Sequence, residues 1–295
     1  MKHEAQLPAG VTVSAGRGGL ERVVIDTELA RAEVYLHGAH VTQFHPRHTS
    51  KPMLWMSGAS LFEPNKPIRG GVPICFPWFG PKDDDAQAPA HGVARLLPWN
   101  LTSANRSAGG SVVVALELRS ADHDRARATG EWVIRHEVTI GRSLQMQLIV
   151  QNDGPTPFRF EEALHSYFAV GDVKQIAVRG LDGATFLDRL QPGKKFTQDA
   201  NPIRFVAETD RSYLGTTAAC TIDDPGLGRK ITIEKSGSNT TVVWNPWTAK
   251  SKAMPDFGDD EWPGMVCIET ANANEDAVTL APGARHVMRA HISVA

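Results

Sequence analysis

Two side chains in this sequence are well suited to moving protons, and both stand beside apolar runs. His165 lies in FEEALHSYFAVGD, with Glu161 and Glu162 just before it. An imidazole titrates near neutrality, and a neighbouring carboxylate can hold it charged, so His165 is a candidate proton donor. A purely structural hydrogen-bonding role fits the same position. Glu269 follows Met265, Val266, Cys267 and Ile268, where a strand interior would be ending. Desolvation there would raise its pKa toward that of a useful general base, although a strand-end glutamate paired with an arginine would look the same. A third concentration of chemistry is residues 69–95, RGGVPICFPWFGPKDDDAQAPAHGVAR. It sets Phe76, Trp78 and Phe79, an acidic triplet at residues 83–85, then His91 and Arg95, into a proline-stiffened backbone. Aromatic faces suit the C–H faces of sugars, and arginine forks suit phosphate or carboxylate. A proline-rich surface loop pinned by its own aromatics is the plainer alternative.

Two smaller clusters have pocket character. DRSY at residues 210–213 brings Asp210, and WNPW at residues 244–247 brackets a turn-forming Asn-Pro with Trp244 and Trp247. Trp78, Phe79 and Trp244 are candidate sugar platforms, with the hydrophobic core as the alternative destination. Four early histidines, His37, His40, His45 and His48, invite a zinc reading. Their spacing and the lack of a nearby cysteine or carboxylate cluster favour a solvated loop with scattered histidines. No metal and no cofactor are expected. No Walker loop, no strand-borne G-x-G-x-x-G and no G-x-S-x-G elbow is present, which removes nucleotide, dinucleotide and serine-hydrolase readings. Residues 16–19, GRGG, read as a turn, because no helical pattern follows them.

The elements that must position these groups read as strands. Short apolar runs at Val23 to Ile25, Val34 to Leu36 and Val41 to Phe44 are too brief for helices. Period-two alternation places Val112, Val114, Leu116 and Leu118 on one face, then Trp132, Ile134, His136, Val138 and Ile140, then Leu144, Met146, Leu148 and Val150. Gly141-Arg142 has the Gly-X form of a tight hairpin. Similar runs continue around Ile231, Val242, Val266 and Met288. Prolines and glycines across residues 64–81 exclude a helix interior or a central strand there. One short helical turn is expected within residues 251–262. The pattern predicts an all-β fold of mostly antiparallel strands, a large sandwich, with residues 1–295 as one domain.

A chain of 295 residues can bury a substantial core. Its 31 basic and 33 acidic residues nearly cancel, so no global field draws nucleic acid or an anionic membrane, and any anion must be recognised locally. Cys75, Cys220 and Cys267 are odd in number and widely spaced, which argues against a disulfide framework and fits a reducing cytoplasm. The opening MKHEAQLPAG lacks an apolar signal core, and no stretch approaches the length of a membrane span. A cytoplasmic monomer is the default expectation.

Taken in order, RGGVPICFPWFGP, HGVAR, LHSYF, DRSY, WNPW and CIETAN resemble the hexose-6-phosphate mutarotases, or glucose-6-phosphate 1-epimerases, of the aldose 1-epimerase superfamily. The resemblance implies a galactose-mutarotase-like β-supersandwich. It places the family's general acid on His165 and its general base on Glu269. It makes Arg69 and Arg95 the phosphate contacts, and His91 and Asp210 ligands of sugar hydroxyls. The small-molecule partner would be a hexose 6-phosphate, whose ring opens and recloses with inverted anomeric configuration. One departure is Ala90, where family members often carry glutamine before the HGxAR histidine. The competing readings are an epimerase for unphosphorylated aldoses and a non-catalytic sugar-phosphate binding module on the same fold.

Overall fold

The computed structural model describes residues 7–82 and 84–295. Most of the N-terminal MKHEAQLPAG segment and Asp83 of the acidic triplet lie outside the described residues. The named strands of the described chain all pair antiparallel, as the alternation predicts. One eight-stranded sheet runs, in spatial order, through Ala177–Arg179, Cys220–Asp224, Arg229–Ser236, Arg285–Val294, Leu144–Asn152, Trp132–Ile140, Val112–Arg119 and Asn100–Arg106. A second sheet runs through Lys195–Thr197, Thr185–Asp188, Thr209–Leu214, Thr240–Asn245, Met265–Asn272, Glu162–Leu164 and Ile74–Cys75, with Tyr167–Ala169 also paired to Met265–Asn272. A four-stranded sheet carries Val11–Ala15, Glu21–Asp26, Ala30–Tyr35 and His40–Pro46.

The alternating residues do what period two requires. Ile134, Val138, Leu148 and Val150 of the first large sheet share one core with Val243, Val266 and Ile268 of the second. Burial of such side chains contributes roughly 1.5–3 kcal/mol each before chain entropy is counted. The opposite face of the second sheet carries a separate small apolar cluster of Cys75, Phe79, Ala163, Val242, Ala271 and Ala273. Strand registers place Asp210 opposite Trp244 and Trp244 opposite Cys267, and in the next row Ser212 opposite Val242 and Val242 opposite Glu269. Directly opposed residues share a face, so both rows point to the face opposite that of Val243 and Ile268, although Trp244 and Cys267 still pack with the main core.

Several local expectations need correction. The hairpin after Ile140 has a three-residue loop, 141–143, closed by Gly141 N–H donating to the Ser143 carbonyl. The helical segment is Trp247–Ala253, earlier than expected, and a 3-10 turn at Trp262–Gly264 closes that region. Within the proline-rich stretch, Ile74–Cys75 forms a two-residue strand at the end of its sheet, where the prolines on either side interrupt no ladder. Of the four early histidines only His48 is exposed in a turn, so the solvated-loop reading fails for the other three. His40 is fully buried on the strand His40–Pro46, with Nε2 2.7 Å from the Gly70 carbonyl, and buried His37 meets the Lys66 carbonyl at 2.7 Å. They tie the segment leading to Arg69 onto the four-stranded sheet. Cys75, Cys220 and Cys267 are free and buried. Among the described residues, no helix is long and apolar enough to cross a membrane.

Candidate active site

The strand Met265–Asn272 is buried at every position and organises the site. Two short strands, Glu162–Leu164 and Tyr167–Ala169, pair with it on the same side, Leu164 opposite Thr270 and Tyr167 opposite Cys267. Both pairings keep one register, which sets His165 across from Glu269. His165 N–H donates to the Pro73 carbonyl, continuing the register in which Leu164 faces Ile74. His165 Nε2 then lies 3.4 Å from Glu269 Oε1. The imidazole stacks on Tyr167, centroids 4.8 Å apart, so its direction is fixed. Neither Glu161 nor Glu162 holds His165, contrary to the sequence expectation. Glu161 accepts from the backbone N–H groups of Phe79 and Asn274, and Glu162 pairs with His286 at 2.9 Å. On an extended strand residues one apart point to opposite faces, and Glu161 and Glu162 are used up in separate tasks.

A cavity of about 340 Å³ opens over this pair. Its walls include Arg69, Phe79, His91, Arg95, Asp210 and Trp244, together with His165 and Glu269. Trp78 is the exception among the expected residues. It lines a neighbouring cavity, and its indole N–H donates to the Pro89 carbonyl at 3.0 Å.

Arg69 enters from the Arg-Gly-Gly turn. Its Nε and Nη2 donate to Asp256 Oδ2 at 3.2 and 3.1 Å, and its Nη1 donates to the Tyr167 hydroxyl at 2.9 Å. Gly71 must be glycine: its φ is +62°, and a Cβ would sit 2.3 Å from the Val41 carbonyl oxygen. Arg95 is buried on the 3-10 turn Ala94–Leu96, and its Nη2 donates to the Ala90 carbonyl at 2.7 Å. Position 90 thus serves the site through its backbone, which an alanine supplies as well as a glutamine. His91 has φ +63°, and its Nδ1 accepts from Gly80 N–H at 3.2 Å. That bond leaves the proton on Nε2, so His91 is a neutral donor available to a hydroxyl.

The electrostatics of the pair follow from burial. Desolvation, reinforced by the Arg69 and Arg95 charges, pushes the His165 imidazole well below its ordinary value. Desolvation, reinforced by Asp210, pushes the Glu269 carboxyl well above its own. Burial also raises Asp210, with Arg189 opposing it. Both shifts run toward the uncharged form of each group. Such a pair can take a proton at one end and give one at the other.

Comparison with known proteins decides the family. The aldose 1-epimerase family matches residues 21–293. The chain belongs to the aldose 1-epimerase family. It is accordingly an isomerase. A Cenchrus ciliaris protein provisionally named glucose-6-phosphate 1-epimerase is 35% identical over 276 residues, covering 90% of this chain and 82% of that protein. An Escherichia coli K12 protein of the same provisional name is 34% identical over 256 residues, covering 87% and 84%. A crystal structure of a provisionally assigned mutarotase from Salmonella typhimurium superposes with a TM-score of 0.90 at 31% identity, covering 98% of this chain and 95% of that one.

Sequence reasoning about this family member missed Arg189 and Lys250, which also line the cavity. Arg189 stands between Phe79 and Asp210, its guanidinium carbon 4.9 Å from the Phe79 ring centre and its Nε 3.8 Å from Asp210 Oδ1. The Arg189 N–H also donates to the Asp210 carbonyl. The only available signal was its place one residue after the strand Thr185–Asp188, which pairs with the Asp210 strand. Asp256, the partner of Arg69, sits in the segment after the helix and carries no motif of its own.

Proposed function

We propose that this isomerase interconverts the α and β anomers of hexose 6-phosphates, glucose 6-phosphate foremost, with His165 as acid and Glu269 as base. The observation that carries the reading is the His165–Glu269 contact of 3.4 Å at the floor of a cavity flanked by the half-buried Arg69 and the buried Arg95. The anomeric hydroxyl oxygen and the ring oxygen share one carbon, so two groups this close can serve both. Glu269 removes the hydroxyl proton while His165 delivers one to the ring oxygen. The bond from the anomeric carbon to the ring oxygen breaks, and its electrons leave with that oxygen. The hydroxyl oxygen forms the aldehyde double bond. Rotation about the adjacent carbon–carbon bond presents the other face, and reclosure with both transfers reversed gives the opposite anomer. Protons balance, and no covalent intermediate forms.

The charge on the substrate sets up the pair. Burial, then the Arg69 and Arg95 charges, disfavour an imidazolium at His165, while burial disfavours the carboxylate at Glu269 with Arg95 opposing it. A phosphate dianion at the two guanidinium groups offsets that repulsion through charge-assisted bonds and so raises the proton affinity of His165, the acid of the step. His91 and Asp210 hold ring hydroxyls, and Phe79 and Trp244 supply apolar walls. The phosphate should therefore raise turnover as well as tighten binding. Comparing kcat and KM for glucose 6-phosphate and glucose in wild type and Arg95→Ala tests this. Both advantages of the phosphate ester should shrink in the variant. An equal change for both sugars would remove the phosphate from this site and leave an epimerase of unphosphorylated aldoses.

A further inference from the structure

A larger cavity, about 710 Å³, adjoins the catalytic one and shares Phe79, Pro81 and Arg189 as a common wall. The strand registers join the two. The row that begins at His165 and Glu269 continues through Val242 to Ser212 and then Leu187, and the last two residues line the larger cavity. Ser212 is two strands from Glu269, or about 10 Å at the usual strand spacing. That distance lies beyond the ring whose anomeric carbon meets Glu269.

The lining is rich in donors whose acceptors are elsewhere. Ser212 is fully buried with its hydroxyl unpartnered, and the Asn274 amide nitrogen is likewise buried and unpartnered among the described residues. Arg159 gives one bond, to the Asn274 carbonyl at 3.3 Å, and the Lys194 ammonium has no partner among the described residues. The acids of the wall are already engaged. Both Glu161 oxygens accept backbone N–H groups, Asp188 accepts from Leu190 N–H and the Gln191 amide, and Asp84 pairs with Lys82. A buried hydroxyl and amide left without partners cost free energy unless a ligand supplies acceptors.

We infer that this second cavity is a subsite for a phosphate-bearing group, so that the isomerase takes aldoses larger than one ring, with a remote phosphate held by Arg159, Lys194, Ser212 and Asn274. The inference rests on the proposed anomerase reading for the reacting end. It extends the substrate class to reducing sugars carrying an oxyanion about two strands from the anomeric carbon. A free phosphate ion has the same chemistry and would use the same donors.

The test compares anomer exchange of maltose 6′-phosphate, maltose and glucose 6-phosphate in wild type and in an Arg159→Ala/Lys194→Ala double variant, whose side chains lie outside the catalytic pocket. The expected result is kcat/KM for maltose 6′-phosphate at least tenfold above that for maltose, with the advantage lost in the double variant and glucose 6-phosphate unchanged within twofold. A second arm adds inorganic phosphate to the glucose 6-phosphate reaction. An effect present in wild type and absent in the double variant would assign the subsite to the free ion and retain its chemistry. Identical behaviour of wild type and double variant in both arms would overturn the inference. Phosphorus NMR line broadening of maltose 6′-phosphate, lost in the double variant, would keep the subsite even if glucose 6-phosphate were not turned over, which separates its failure from failure of the anomerase reading.

Discussion

His165 and Glu269 face each other across a ladder that neither of them bonds. Pairings on both sides hold one register, and the two functional groups close to 3.4 Å. His165 spends its N–H on the Pro73 carbonyl, on the other side of its strand, so side chains alone meet across this pair. Proton transfer at both oxygens of one carbon needs that proximity.

Removing the base leaves the pocket intact. Glu269→Gln keeps size and shape at a position that is 1% exposed, and a neutral amide replaces a carboxyl that burial already disfavours as an anion. Turnover should fall ~100- to ~10,000-fold, the usual worth of a positioned acid or base. Thermal stability should stay the same or rise. Exchange rates and melting curves on the same preparation check both halves.

The pH profile carries the signature of two coupled groups. Adding a second proton means charging His165, whose pKa lies well below 6.5, so the acid limb should fall well under that value. Losing the single proton means ionising Glu269, whose pKa lies well above 4.5, and this sets the alkaline limb. The two limbs belong to the pair rather than to either residue. Arg95→Gln removes a repelling charge and should move the acid limb upward. An acid limb that stays in place in this variant would contradict the coupling.

Arg69 depends on a partner remote in sequence. Its guanidinium is aimed by Asp256, and hydrogen bonds to charged groups are worth about 1.5–3 kcal/mol. Asp256→Asn should raise KM for glucose 6-phosphate roughly tenfold or more, with a smaller change for glucose. Steady-state kinetics on both sugars gives the answer.

Much of this was legible beforehand, for identifiable reasons. Period-two alternation around Val112, Ile134 and Leu148 fixed the strands of one large sheet, because each of those strands buries a single face. His165, Glu269, Arg69, Arg95, His91 and Asp210, all singled out in the sequence, line one cavity. Arg189 and Asp256 escaped because their roles arise only from strand pairing and from a segment returning over the pocket. His40 was misread because its burial is decided by the Gly70 carbonyl thirty positions later, a partner that spacing does not reveal.

A second pH effect concerns stability alone. His286 Nε2 lies 2.9 Å from the buried Glu162, and although burial would lower the imidazole, the bond and charge of Glu162 raise it above 6.5. A raised histidine contributes its stability in full below the unfolded value near 6.5 and loses it as pH rises through the folded value. The melting-temperature gap between wild type and His286→Gln should therefore be largest on the acid side of neutrality and narrow as pH rises. A gap that widened with pH would reverse the assignment.

Gly92 holds the turn that presents His91. Its φ is +75°, and a Cβ would lie 1.9 Å from the Phe76 carbonyl oxygen. Gly92→Ala should destabilise by about 2 kcal/mol or more, since backbone strain of this kind alone costs on the order of 1–3 kcal/mol. Urea denaturation measures it.

The central claim is most directly tested by two-dimensional exchange NMR on the anomeric protons of glucose 6-phosphate, with glucose in parallel. Cross-peaks that appear with protein, stronger for the phosphate ester and lost in Glu269→Gln, are the predicted result. Folded wild-type protein that accelerates exchange of neither sugar would contradict the account.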